Sequence, residues 1–227
     1  MLGYFKDFFS LIFPKLCLSC GQGLTKYENC ICILCLHQMP YTNYHLESDN
    51  KLLKQFWGRV DINAAAAFLH FKKGSKVQTL MHQLKYHNQP ELGIELGRLY
   101  GKVLGSVDVY KDADIIVPVP LHKTRLKKRG YNQSEQFALG LSETMDIPVD
   151  CNVLIRQLAS ETQVSKSRFN RYKNMEEVFI AKPIQAYKKI LLVDDTITTG
   201  ATLEACTLAL NKAGCTYINI AGIAFTE

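Results

Sequence analysis

No run in the 227-residue chain approaches the ~18 apolar residues of a transmembrane helix, so stable membrane insertion is not expected. There is one tryptophan, no internal repeat and no low-complexity tract, and 47% hydrophobic with 21% charged residues is the balance of a globular protein. The N-terminal stretch MLGYFKDFFSLIFP lacks a small-residue cleavage site and carries Lys6 and Asp7, which argues against a secretory signal and for the cytoplasm. No Ser/His/Asp or Cys/His arrangement suggests a protein nucleophile, and His70, His82 and His87 read as surface or packing residues.

What the chain does carry is unevenly placed. Leu2, Phe5, Phe9, Ile12 and Phe13 share one helical face ahead of Pro14, the pattern of a short amphipathic helix. It would dock on the body of the protein or touch a membrane peripherally. The net charge is +6, yet Lys123, Arg125, Lys127, Lys128 and Arg129 crowd into one short segment, and Lys166, Arg168, Arg171 and Lys173 into another. Two such clusters suit a phosphate-rich partner, or equally a solvated basic face.

Cysteine is the most sharply sorted residue type. Of 8 cysteines, Cys17, Cys20, Cys30, Cys32 and Cys35 fall in one short stretch, while Cys206 and Cys215 read as small core residues. Cys17 with Cys20 and Cys32 with Cys35 make two CxxC knuckles, a four-thiolate set suited to tetrahedral zinc. A disulfide framework is the alternative; enrichment of one segment without a secretory signal favours metal. Cys30 and His37 could each substitute as a ligand, but the paired spacing favours Cys32 and Cys35. So short a segment buries little core, and a structural ion would supply much of its folding energy.

The turn-rich HQMPYTNYHLESDNK places a seam near residue 45. Residues 64–78 read as two extended segments around a turn, or as a strand leading into a helix. VQTLMHQLKYH and ELGIELGRLYGKVL have helical periodicity. From Asp114 onward the pattern becomes strand, loop, helix: DIIVPVP, a basic loop over 121–130, then the helix NQSEQFALGLSETM. An extended piece at Asn152–Arg156 and another at Val178–Ile180 precede the strand KKILLV, the helix TLEACTLALNKAG and the strand TYINIAGIAF. This predicts an α/β fold with a doubly wound, mainly parallel sheet, whose ligands bind beyond the carboxyl ends of the strands.

At one such end, ILLV runs into Asp194 and Asp195 and then into TITTGAT. Alternation along a strand turns the two carboxylates different ways. The threonine hydroxyls, the backbone N–H groups near Gly200 and the following helix N-terminus can ring a phosphate. Carboxylates beside a phosphate cradle suit a phosphorylated sugar.

The strand–DD–TITTGAT stretch resembles the phosphoribosyl pyrophosphate (PRPP) motif of type I phosphoribosyltransferases. VPVPLHKTRLKKRGYNQSEQFA, TQVSKSRFNRYKNMEEVF, the CxxC pairs and LKYH around Lys85 resemble the ComF (competence protein F)/GntX-like family over almost the whole chain. That resemblance implies an amphipathic helix and zinc-ribbon-like segment over 1–45 and a phosphoribosyltransferase-like domain over 46–227. It implies that Asp194 and Asp195 contact ribose hydroxyls, and that Thr198, Thr199, Gly200, Ala201 and Thr202 hold the 5′-phosphate. Basic residues up to Arg129 and Gly130 would lie near the diphosphate, with Lys85 in the wall. Lys166, Arg168 and Arg171, in a closing loop over Ser160–Asn174, would neutralise the leaving group with Mg2+. The function implied is a PRPP-binding protein assisting DNA uptake, with single-stranded DNA and competence or recombination proteins as partners. An active phosphoribosyltransferase with an unidentified acceptor, or a zinc- and PRPP-binding adaptor, are the alternatives.

Overall fold

The computed structural model describes residues 14–157, 179–183 and 189–226. The expected N-terminal helix and the residues Lys166, Arg168 and Arg171 lie outside the described residues.

The core is a four-stranded sheet in the order β1-β6-β5-β2, every neighbour parallel. Its strands are β1 (Ala64–His70), β2 (Ile115–Pro118), β5 (Lys189–Ile197) and β6 (Tyr217–Phe225). Ile190, Leu191, Leu192 and Val193 are all fully buried, as are Ile218, Ile220 and Ala221. Consecutive buried residues mean that both faces of the sheet are covered, which parallel sheets require. Residues 64–78 take the strand-then-helix form, β1 followed by α3 (Lys76–Tyr86).

Before the sheet come α1 (Ile33–His37) and α2 (Lys51–Lys54). Asn50 ties this region to β1: its Nδ2 donates to the carbonyls of Tyr44, Glu47 and Ala65, and its Oδ1 accepts from the N–H of Leu53. The N–H of Thr42 donates to Phe68 O at 3.1 Å. Ala65, Ala66 and Ala67 are fully buried, and their short side chains let these turns lie close to the strand.

Helices α4 (Pro90–Leu104) and α7 (Gln133–Met145) cross at close range, with α5 (Asp108–Lys111) and α6 (Lys123–Arg129) between them in the chain. The approach depends on glycine: a Cβ at Gly97 would collide with the Phe137 carbonyl, and one at Gly140 with the Ile94 carbonyl. Each glycine leaves room for the facing backbone.

Three expectations change. The basic segment 121–130 is helix α6 rather than a loop. The Nδ1 of His122 accepts from the N–H of Thr124 at its start, Gly130 (φ 83°) ends it in the left-handed region, and Lys, Arg and Leu between are good helix formers. The pieces near residues 154 and 179 form an antiparallel ribbon, β3 (Leu154–Arg156) with β4 (Phe179–Ala181), apart from the main sheet. Finally, β5 does not stop before the acidic pair but continues to Ile197, held by β6 through Asp194–Gly222 and Thr196–Ala224 pairing. Helix α8 (Ala201–Lys212) follows.

Candidate functional site

The carboxyl ends of β2 and β5, the end of α3 and the start of α8 enclose a cleft of about 240 Å³. Its walls include Lys85, Arg125, Arg129, Ser134, Arg156, Asp194, Asp195, Thr196, Thr198 and Thr202. Of the residues singled out from sequence, Lys85, Arg129, Asp194, Asp195, Thr198 and Thr202 meet here. Thr199, Gly200 and Ala201 form the turn between the last two without contributing to the wall, and Gly130 ends α6 just outside it.

Because β5 stays extended through the acidic pair, the two carboxylates have different partners. Asp194 Oδ1 accepts from the Ser134 hydroxyl at 2.9 Å and from the Asp195 N–H at 2.8 Å. Burial, with the neighbouring Asp195 charge adding to it, pushes the Asp194 carboxyl up to about 7 despite those donors. Asp195 pairs with Lys85 Nζ at 2.9 Å, and the same ammonium donates to Thr196 Oγ1 at 2.9 Å.

Arg125, Arg129 and Arg156 line the same cleft. None of the three is in an ion pair among the described residues. Burial and then the charge of Arg125 hold the Arg156 guanidinium below its usual range, and its Nε is buried without a hydrogen-bond partner among the described residues. Arg129 is steadied from the side by Gln133, its NH1 donating to Oε1 at 2.7 Å. Cations in no ion pair among the described residues, beside a helix start, can take up a multiply charged anion.

The Thr198–Thr202 turn is braced from outside. Gly200 (φ 72°) sits against the Phe56 ring, which an added Cβ would approach to 2.9 Å. Arg59 donates to Thr199 O at 2.9 Å and to Gln55 O at 3.0 Å, and pairs closely with Glu204 on α8. Sequence reasoning missed Ser134, Arg156, Phe56, Arg59 and Glu204 as site residues. Ser134 was within reach, since Asn132 caps α7 and puts position 134 in the first turn at the cleft. No sequence signal marked Arg59.

The second candidate site lies in the N-terminal segment. The Sγ atoms of Cys17, Cys20, Cys32 and Cys35 are all within 4.8 Å of one another. Cys20 and Cys32 Sγ are 3.8 Å apart, which matches the ~3.8 Å edge of a tetrahedron with Zn–S bonds of ~2.3 Å and far exceeds a disulfide. Burial raises the Cys17 thiol, but N–H donors from Cys32, Cys20 and Ser19 bring it down to about 7, favouring thiolate. The donor set fits zinc. Cys30 is not in the group, and burial followed by the charges of Glu95 and Glu91 pushes its thiol up to about 11.

Residues 82–225 match the family described as phosphoribosyl transferase domain. Competence protein F of Haemophilus influenzae is 30% identical over 92% of this chain and 96% of its own length. The DNA utilization protein YhgH of Escherichia coli K12 is 28% identical over 90% of this chain and 88% of its own. Competence protein ComFC of Streptococcus pneumoniae is 34% identical over 46% of this chain and 44% of its own.

Proposed function

The chain belongs to the phosphoribosyl transferase domain family, in its competence protein F branch, and on that premise we propose that its cleft binds PRPP and that the protein serves the handling of imported DNA in the cytoplasm. The observation that carries the PRPP reading is the polarity of the cleft. The acidic pair and three arginines, unpaired among the described residues, line one cleft together with Thr198 and Thr202, whose turn opens helix α8.

A ribose between these groups donates its hydroxyls to the Asp194 and Asp195 carboxylates. Its 5′-phosphate lies on the turn at the start of α8, where Thr198 and Thr202 offer hydroxyls. Its diphosphate extends toward Arg125, Arg129 and Arg156. Mg2+ carried in with PRPP would neutralise charge on the diphosphate, held by ligand oxygens and water. Lys166, Arg168 and Arg171 belong to the same proposal as charges that close over the diphosphate. Zinc, held by Cys17, Cys20, Cys32 and Cys35, has a structural role.

The DNA half of the reading rests on the relatives' names, competence protein F and DNA utilization protein; single-stranded DNA and competence or recombination proteins are the partners we propose. A second reading, transfer of ribose 5-phosphate to an acceptor, is favoured by the arginine cluster, which would stabilise a departing pyrophosphate without any protein nucleophile.

PRPP with Mg2+ is expected to raise the melting temperature, and the double substitution Asp194→Asn with Asp195→Asn to abolish the rise. An equal response in the double variant overturns the cleft assignment. Pyrophosphate release across a panel of acceptors tests the transferase reading.

A further inference from the structure

The last three residues of α3 each hold a different part of the frame around the cleft. The Leu84 carbonyl accepts from the hydroxyl of Tyr131, in the link between α6 and α7. Lys85 pairs with Asp195 on β5. Tyr86 meets α6, whose Arg129 guanidinium stands 5.5 Å over its ring. Tyr86 is 57% exposed and does not line the cleft, so the cation it carries is its one link to the site among the described residues.

The ring is itself supported. His82, one turn back on α3, packs against it with centroids 4.9 Å apart. Arg129 is therefore held twice, by the face of Tyr86 and by Gln133, which is fully buried and accepts from its NH1 at 2.7 Å. Arg125 lines the same cleft from one turn earlier on α6, yet it is exposed and has neither support. A guanidinium already fixed in one orientation loses less freedom when an anion arrives, and its planar fork suits two phosphate oxygens at once.

We propose that Tyr86 is a positioning residue: the face of its ring sets Arg129 for a diphosphate. The cleft thereby favours a sugar that carries a diphosphate over the same sugar with its 5′-phosphate alone. This deepens the PRPP reading of the cleft and rests on it. Plain packing of a tyrosine against α6 would act on the fold as a whole and so on every ligand alike. Action through Arg129 touches only ligands that bring a diphosphate.

The test follows the thermal shift of the full chain with three probes: PRPP with Mg2+, pyrophosphate with Mg2+, and ribose 5-phosphate. Tyr86→Ala is expected to raise the half-saturating concentration of the first two about threefold, the worth of an exposed cation–π contact. Ribose 5-phosphate should bind as before, which also shows that the variant is folded. Tyr86→Phe keeps the ring face and should match the wild type. In an Arg129→Ala background, Tyr86→Ala should add no further loss, because both changes act through one guanidinium. Equal weakening toward ribose 5-phosphate, a loss in Tyr86→Phe, or additive losses overturn the proposal. If the wild type binds PRPP and Tyr86→Ala binds it equally well, the role of Tyr86 fails and the cleft reading stands. If the wild type answers none of the three probes, the cleft reading falls and takes the role of Tyr86 with it.

Discussion

The four cysteines of the knuckle segment come from one short stretch, Cys17 to Cys35, whereas the cleft gathers side chains from Lys85, α6, α7, β3 and the β5–α8 turn. The two sites also stand differently before any ligand arrives. The thiols already lie at tetrahedral spacing, with N–H donors aimed at Cys17. The cleft holds a half-buried carboxylate beside a second one, and arginines in no ion pair among the described residues. A site built from neighbouring residues can double as a staple for a segment with little core of its own. A site built across the fold relies on the core for its geometry, and its charges oppose folding until a ligand neutralises them.

Breaking the knuckle should give the largest effect. Cys35→Ser is expected to lose the single zinc per chain and the coupled folding energy, on the order of 10 kcal/mol, read by metal analysis and by hydrogen exchange over residues 17–39. Cys30→Ser should keep the metal, because Cys30 stands outside the group. If Cys35→Ser also abolishes the thermal response to PRPP, the two sites are one cooperative unit and the contrast between them fails.

Loosening the brace of the Thr198–Thr202 turn should be next. Arg59→Ala removes the donor to Thr199 O and leaves Glu204 without its partner. Losing a charged hydrogen bond is worth ~1.5–3 kcal/mol, so the PRPP concentration giving half the thermal shift should rise about tenfold or more. An unchanged concentration would mean that the turn holds its shape without Arg59.

Proton linkage at Asp194 sharpens the claim that the cleft opposes folding. The Asp194 carboxyl is raised to about 7 in the folded chain, against about 3.9 in an unfolded one. Between those values the folded chain holds a proton that the unfolded chain has released. The stabilisation is therefore complete below about pH 4 and is lost as pH rises through 7. Melting temperatures of ligand-free wild type and Asp194→Asn should diverge over pH 4 to 7, with the wild type falling more. Parallel curves would show that Asp194 does not carry this proton.

Much of the fold was legible because its signals are local. Apolar ILLV before two aspartates and a Thr/Gly turn reads as strand, rim and helix start, and β5 and α8 follow that order. The cysteine spacing pointed to the same four thiols that the structure groups. Helix α6 was misread because a dense run of like charge resembles a loop, while the cap at His122 and the stop at Gly130 decide otherwise. The β3–β4 ribbon was also beyond reach, since a three-residue strand carries no periodicity that names its partner.

Sequence alone determined the chemistry that neighbouring residues can express: two knuckles, a buried parallel sheet and an acidic pair beside a phosphate turn. Tertiary structure alone decided which distant groups share a volume. It brought Ser134 to Asp194, Lys85 to Asp195, Arg59 to the phosphate turn and Arg129 onto Tyr86. The reason is physical: capping and periodicity act within a few residues, whereas these pairings arise only once the sheet order and the α4–α7 crossing are in place.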